Sequence, residues 1–122
     1  MPLVLTHTSD VADAVTVPRN TVEECYAQVL DDLTAARDLL PEDNGVYASS
    51  LAARAVLARV YLQMGNYSSA AVEANNVIQS GLFALTSTPL KAFNNSSNSP
   101  EEIFAFHNNV ASNNAWLAVM YA

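Results

Sequence analysis

Apolar residues recur along the first half of the chain at helical spacing. Val22, Cys25, Tyr26, Val29, Leu30, Leu33, Ala36 and Leu40 step by three or four, which is the signature of one helix face. Glu23, Glu24, Asp31, Asp32 and Asp38 fall on the other side. Thr21 and Glu24 fit a capping box: the Thr hydroxyl accepts a first-turn N–H and the Glu reaches back to the cap. Pro41 has no N–H to continue the ladder, so this pattern predicts a helix over about 21–40.

A second and a third helix follow. "EDNGVYAS" is a turn-rich loop. Ser50 is positioned to cap a helix running to Met64, with Gly65 ready to take the left-handed conformation that ends it. Asn66 or Ser68 opens the next, which Gly81 closes near Ser80. Helices at about 50–64 and 68–80, joined by so short a turn, must fold back antiparallel. Both are rich in alanine, and small residues let two helix axes approach closely. Ala55, Ala58, Ala70 and Ala74 are the expected crossing positions, with Ala58 at the centre. Tyr61 and Tyr67 are the expected plates over the ends of that interface.

The flanks read differently. Residues 1–20 are irregular, with "PLVL" as a short extended piece. From residue 84 onward the chain is loop-rich, and Asn and Ser dominate "NNSSNSP". "EEIFAF", after Pro100, reads as a short strand or one buried turn, with the β preference of Ile and Phe favouring the strand. The expected organisation is an irregular segment over 1–20, a helical core over 21–83 and a loop-rich segment over 84–122. The expected fold class is all-α, with about three to four helices in irregular helical hairpins.

Composition removes several functions. The 122 residues carry 5 Lys plus Arg against 12 Asp plus Glu, a net charge of −7. Nucleic acid needs a basic surface to displace counterions, and an anionic membrane needs one to adsorb. No apolar run approaches the roughly 20 residues of a membrane-spanning helix. Cys25 is the single cysteine, so no internal disulfide forms, and its helical apolar position reads as an inert thiol. The start lacks a basic n-region and a cleavage site. The chain is therefore expected to be either cytoplasmic or a piece of a longer precursor; Met1 directly before an apolar run and "AWLAVMYA" ending without a stop signal favour the piece.

No chemistry-bearing constellation stands out. Glu23-Glu24, Asp31-Asp32 and Glu101-Glu102 are paired carboxylates, but helix neighbours point about 100° apart and do not converge on one substrate. A solvated face or a cap is the plainer role. His7 and His107 have no partner at ligand spacing, so no metal site is expected. Phosphate loops and nucleophile elbows are absent. The Asn66-Tyr67-Ser68, Asn94-Asn95-Ser96 and Asn95-Ser96-Ser97 triplets read as chance. No catalytic residue and no cofactor are expected, and the chain reads as no enzyme. Trp116 beside Asn113 and Asn114 combines a stacking ring with amides that bond hydroxyls, a candidate sugar subsite; the competing reading places Trp116 in a core completed elsewhere. Tyr47, in the loop between the first two helices, is the other candidate aromatic.

Two resemblances sharpen this picture. Leu57, Ala58, Tyr61, Gly65-Asn66-Tyr67 and Ala70 resemble a tetratricopeptide (TPR) hairpin, with Val77 a departure where a small residue is usual. Ala36 and Pro41 keep the spacing of a preceding half-repeat, but the Glu42–Ser50 loop is too long for a regular array. More broadly, "PLVL", "VPRNTVEECYAQVLDDLTAARDLLP", "AARAVLARVYLQMGNYSSAAVEANNVIQSGLFAL" and "SPEEIFAF" occur in that order. Over about residues 2–106 the chain resembles the middle of SusD/RagB-family proteins, the glycan-binding outer-membrane lipoproteins of Bacteroidetes. The resemblance implies a surface-exposed, lipid-anchored protein that captures oligosaccharides and passes them to a TonB-dependent (SusC-like) transporter, without covalent chemistry. The TPR-like helices would hold and dock, with Glu23, Asp31 and Asp32 of the acidic first helix as candidate docking residues. Full-length members are several times longer, and Cys25 in "EECY" does not match a lipidation site. The rival reading is a free-standing TPR-type scaffold that binds a peptide in its groove, against which stands the single clean hairpin. A small all-α hydrolase has no supporting residues. An upstream lipoprotein signal and a neighbouring transporter gene would separate the first reading from its rivals.

Overall fold

The computed structural model describes residues 1–7, 9–10, 18–92 and 99–105. Their helices are α1 (Val22–Leu39), α2 (Ser50–Gln63) and α3 (Tyr67–Gln79), with a 3-10 turn over Pro89–Ala92. No strand occurs among the described residues, so the fold is all-α. Two compact units divide the chain, Met1–Gly81 and Leu82–Ala122.

Each helix begins where a side chain can take up an orphan N–H. Thr21 Oγ1 accepts from the Glu24 N–H at 3.1 Å, and Glu24 Oε2 accepts from the Thr21 N–H at 2.9 Å. The expected capping box is therefore complete. Leu40, extended at φ −83° and ψ 147°, ends α1 just before Pro41. At α2 the cap is Ser49, not Ser50: Ser49 is extended and its Oγ accepts from the Ala52 N–H at 3.2 Å. The Ser50 N–H donates instead to the Pro41 carbonyl at 2.9 Å, which pulls Ser50 into the helix and buries it. Gly65 at φ +76° turns the chain, and Asn66 caps α3 by accepting from the Ser69 N–H.

Packing centres on α2, which has α1 on one side and α3 on the other. Its first turn is buried all round (Ser50, Leu51, Ala52, Ala53), followed by Leu57 and Val60. A helix with neighbours on both sides needs apolar or small residues around most of its circumference. Helix α3 contributes Ala70, Glu73 and Val77. The tightest small-residue positions are thus Ala52, Ala53 and Ala70, whereas Ala55, Ala58 and Ala74 are half-buried. Tyr67 is no plate over the interface. It stays exposed at the first turn of α3.

Helix α1 has no fully buried residue. It packs chiefly on α2, so its apolar stripe is half-covered and Val22, at its start, is exposed. The N-terminal segment is pinned there: the Leu3 N–H donates to Asn20 Oδ1 at 2.9 Å and the Asn20 N–H to the Met1 carbonyl at 3.2 Å.

In the second unit, "EEIFAF" is not a strand over its described part. Glu101–Ala105 form a turn and bends, and Phe106 lies outside the described residues. The Glu102 N–H closes a turn on the Ser99 carbonyl, and Glu101 Oε2 accepts from both the N–H and the hydroxyl of Thr86. Strand preference needs a neighbouring ladder to be realised, and no strand lies beside it among the described residues.

Candidate functional site

The outer face of α1 carries the candidate docking carboxylates. Glu23, Asp31 and Asp32 are all exposed. Asp32 accepts from Gln28 Nε2 at 2.8 Å, a local bond one turn apart. Glu24 is committed to the cap, where the Thr21 N–H and the Asn20 amide hold its carboxyl below the usual range. Asp38 is likewise lowered by the guanidinium of Arg37, whose own pKa is raised by Asp38 and Glu73. Glu23 and Asp31 make no ion pair among the described residues. With Asp32, whose bond to Gln28 is to a neutral amide on its own helix, they are the α1 carboxylates left for a partner or solvent.

Beside Glu23 lies an open apolar groove. Val22, Tyr26, Ala27 and Leu30 of α1 line it, together with Met64 just after the end of α2. Antiparallel packing of α1 on α2 brings these two ends together.

Of the sugar-site candidates, Tyr47 alone falls among the described residues. Tyr47 follows the far end of α1 in a loop held by Asp43 Oδ1 on the Gly45 N–H and by the Asn44 amide on the Ala48 carbonyl. Its side chain is exposed, at 74%. Trp116, Asn113 and Asn114 lie outside the described residues, as does His107.

One arrangement escaped the sequence reading. Glu73 of α3 is buried, with Arg37 Nη1 of α1 on Oε1 at 3.0 Å and Arg54 Nη1 of α2 on Oε2 at 2.8 Å. The signal was present: Glu73 sits three residues after Ala70 and four before Val77, within the buried stripe of α3. A charge on such a stripe demands a partner. Both carboxylate oxygens face guanidinium groups, so Glu73 is a structural carboxylate and not a free base. Among the described residues no group of His, Cys, Asp or Glu converges to hold a metal ion. No described helix is long and apolar enough to cross a membrane.

A family profile named SusD-like, described as starch-binding and associating with the outer membrane, matches residues 1–62. The chain belongs to the SusD-like family. The match takes in α1, the long loop and α2 but for its last residue. It therefore covers the acidic face of α1 and the α1–α2 contact, while α3 and Glu73 lie beyond it. SusD-like proteins are glycan-binding proteins of the outer membrane, and they bind rather than catalyse. No curated protein and no solved structure matches the chain.

Proposed function

We propose that this chain is the helical part of a SusD-like protein that captures oligosaccharides at the cell surface and hands them to a TonB-dependent, SusC-like transporter. The observation that carries the reading is the family match over α1 and α2. The precursor would hold to the outer membrane by a lipid anchor, with this chain surface-exposed and itself crossing no bilayer. Within it, residues 21–83 hold and dock, flanked by irregular segments over 1–20 and 84–122. Residues Glu23, Asp31 and Asp32 meet the transporter. Sugar contacts fall to Tyr47 and to Trp116 with Asn113 and Asn114. The protein does no covalent chemistry and uses no cofactor. The only buried carboxylate among the described residues is saturated by two arginines, which supports a framework over a reaction centre.

The test is a pair of titrations on the intact protein carrying Asp31→Lys and Asp32→Lys, one against the glycan and one against the purified transporter. Weaker transporter binding with unchanged sugar binding is expected. Loss of sugar binding with unchanged transporter affinity would show that the roles are reversed.

A further inference from the structure

We infer that the groove on α1 is a docking site for an amphipathic, basic helix of a partner protein. The inference deepens the docking reading above by assigning the partner segment's chemistry. Val22, Tyr26 and Leu30 stand at i, i+4 and i+8 along one ridge of α1, a run of about 12 Å at the helical rise. Met64 lines the groove with them, and Val22 and Met64 are 72% and 44% exposed. A ridge-and-groove surface of this length accepts the apolar ridge of another helix. An added strand would need an open sheet edge, and the described residues contain no sheet.

Charge sets the sign of the partner. Glu23 lines the groove, and Asp31 lies two turns further along the same side, past Ala27. Neither has an ion-pair partner among the described residues. The groove is therefore apolar at its centre and acidic along one rim. A helix with apolar residues at i, i+4 and i+8 and Lys or Arg on one flank matches both features. A helix with acidic flanks is repelled.

The probe is a labelled Leu/Lys helical peptide with that pattern, titrated by fluorescence anisotropy against the 122-residue chain. Its twin carries Glu for each Lys. One-to-one binding of the Lys peptide is expected, about tenfold or more tighter than the twin and weakened by salt. Val22→Gln and Met64→Gln should each weaken it about fivefold. Both positions are exposed, so far-UV circular dichroism should be unchanged. Glu23→Lys should weaken binding, while Glu42→Lys, the same charge change off the groove, should not. Equal loss from Glu42→Lys would reduce the effect to general attraction by an acidic protein and overturn the assignment. So would absence of binding, or binding indifferent to Val22→Gln and Met64→Gln. A dimer in sedimentation that Val22→Gln dissociates would give the groove to a second copy of this chain, and would overturn it as well. Failure of the peptide, alongside lost transporter binding in the Asp31/Asp32 variant, would sink this groove while leaving the docking reading standing.

Discussion

Arg54 Nη1 donates to Glu73 Oε2 at 2.8 Å, joining α2 to α3 through a carboxylate whose side chain is only 8% exposed. The other oxygen of Glu73 takes Arg37 of α1 at 3.0 Å. One acidic side chain thus contacts a basic group from each of the other helices. Burying a lone carboxylate is costly, and the two guanidiniums that converge on this one offset that cost. Two of the 5 basic residues are spent there in a chain of net charge −7.

Glu73→Ala should destabilise the helical unit by about 1–3 kcal/mol. The cost stays below that of a fully buried pair because the Arg37 and Arg54 side chains are partly exposed and can reach water. Arg37→Ala should cost less, since Arg54 still covers Glu73. Replacing all three by Met and Leu should recover most of the loss, as a well-packed apolar set replaces the ions. Urea unfolding midpoints check this series. A Glu73→Ala midpoint equal to wild type would show that the cluster contributes nothing.

The α2–α3 contact makes a graded packing prediction. Leu57 is wholly buried, at 0% exposure, so Leu57→Ala should cost about 2–5 kcal/mol. Ala70 is buried against α2, and Ala70→Leu should overpack it by about 1–3 kcal/mol. Ala58 and Ala70 line the same open groove, but Ala58 is only half-buried, so a leucine there can lean outward and should cost less than at Ala70. Equal penalties at the two alanines would contradict this arrangement.

At the α2–α3 turn, Gly65 has φ +76° and open space where a Cβ would go. Its requirement is therefore conformational, not steric. Gly65→Ala should cost about 1–2 kcal/mol from the left-handed backbone alone, and Gly65→Asn less, because Asn tolerates that region better. Thermal unfolding of the two variants tests the order.

Helix spans and the Thr21–Glu24 cap were legible because both follow from local spacing. So was the turn at Gly65, where one residue type fits. The Ser49 cap was missed by one position: two adjacent serines can each supply the hydroxyl, and the Ser50 N–H bond to the Pro41 carbonyl decides between them. The strand preference of "EEIFAF" went unrealised over its described part because β preference is a property of a sheet context, and no sheet occurs among the described residues. The Arg37–Glu73–Arg54 cluster was invisible because its members are 36 and 19 residues apart in sequence. Periodicity marks Glu73 as buried but does not choose its partners. The candidate docking face was half-legible: spacing separates the acidic side of α1 from the apolar one, while the groove beside Glu23 exists only once the end of α2 arrives next to the start of α1.

The cap of α1 should make stability fall in acid. Glu24 has its carboxyl lowered from the ordinary value of 4.5, first by the Thr21 N–H and then by the Asn20 amide and the Thr21 side chain. A carboxylate with a depressed folded value stabilises the native state fully above the unfolded value, and that contribution is lost as pH falls through the folded one. Asp38 beside Arg37 and Glu101 beside Thr86 shift in the same direction. The three together predict a stability plateau toward neutral pH and a decline below the ordinary carboxylate range. Glu24→Gln removes the charge but keeps a side-chain acceptor, so it should lower stability at neutral pH and shallow the acid decline. Thr21→Ala removes the hydroxyl acceptor and should cost about 1 kcal/mol across the whole range, leaving the slope nearly unchanged because the Thr21 backbone N–H still reaches Glu24. Urea unfolding followed by circular dichroism at a series of pH values separates the two variants. An acid slope equally steep in Glu24→Gln and wild type would assign the decline to Asp38 and Glu101 instead of the cap.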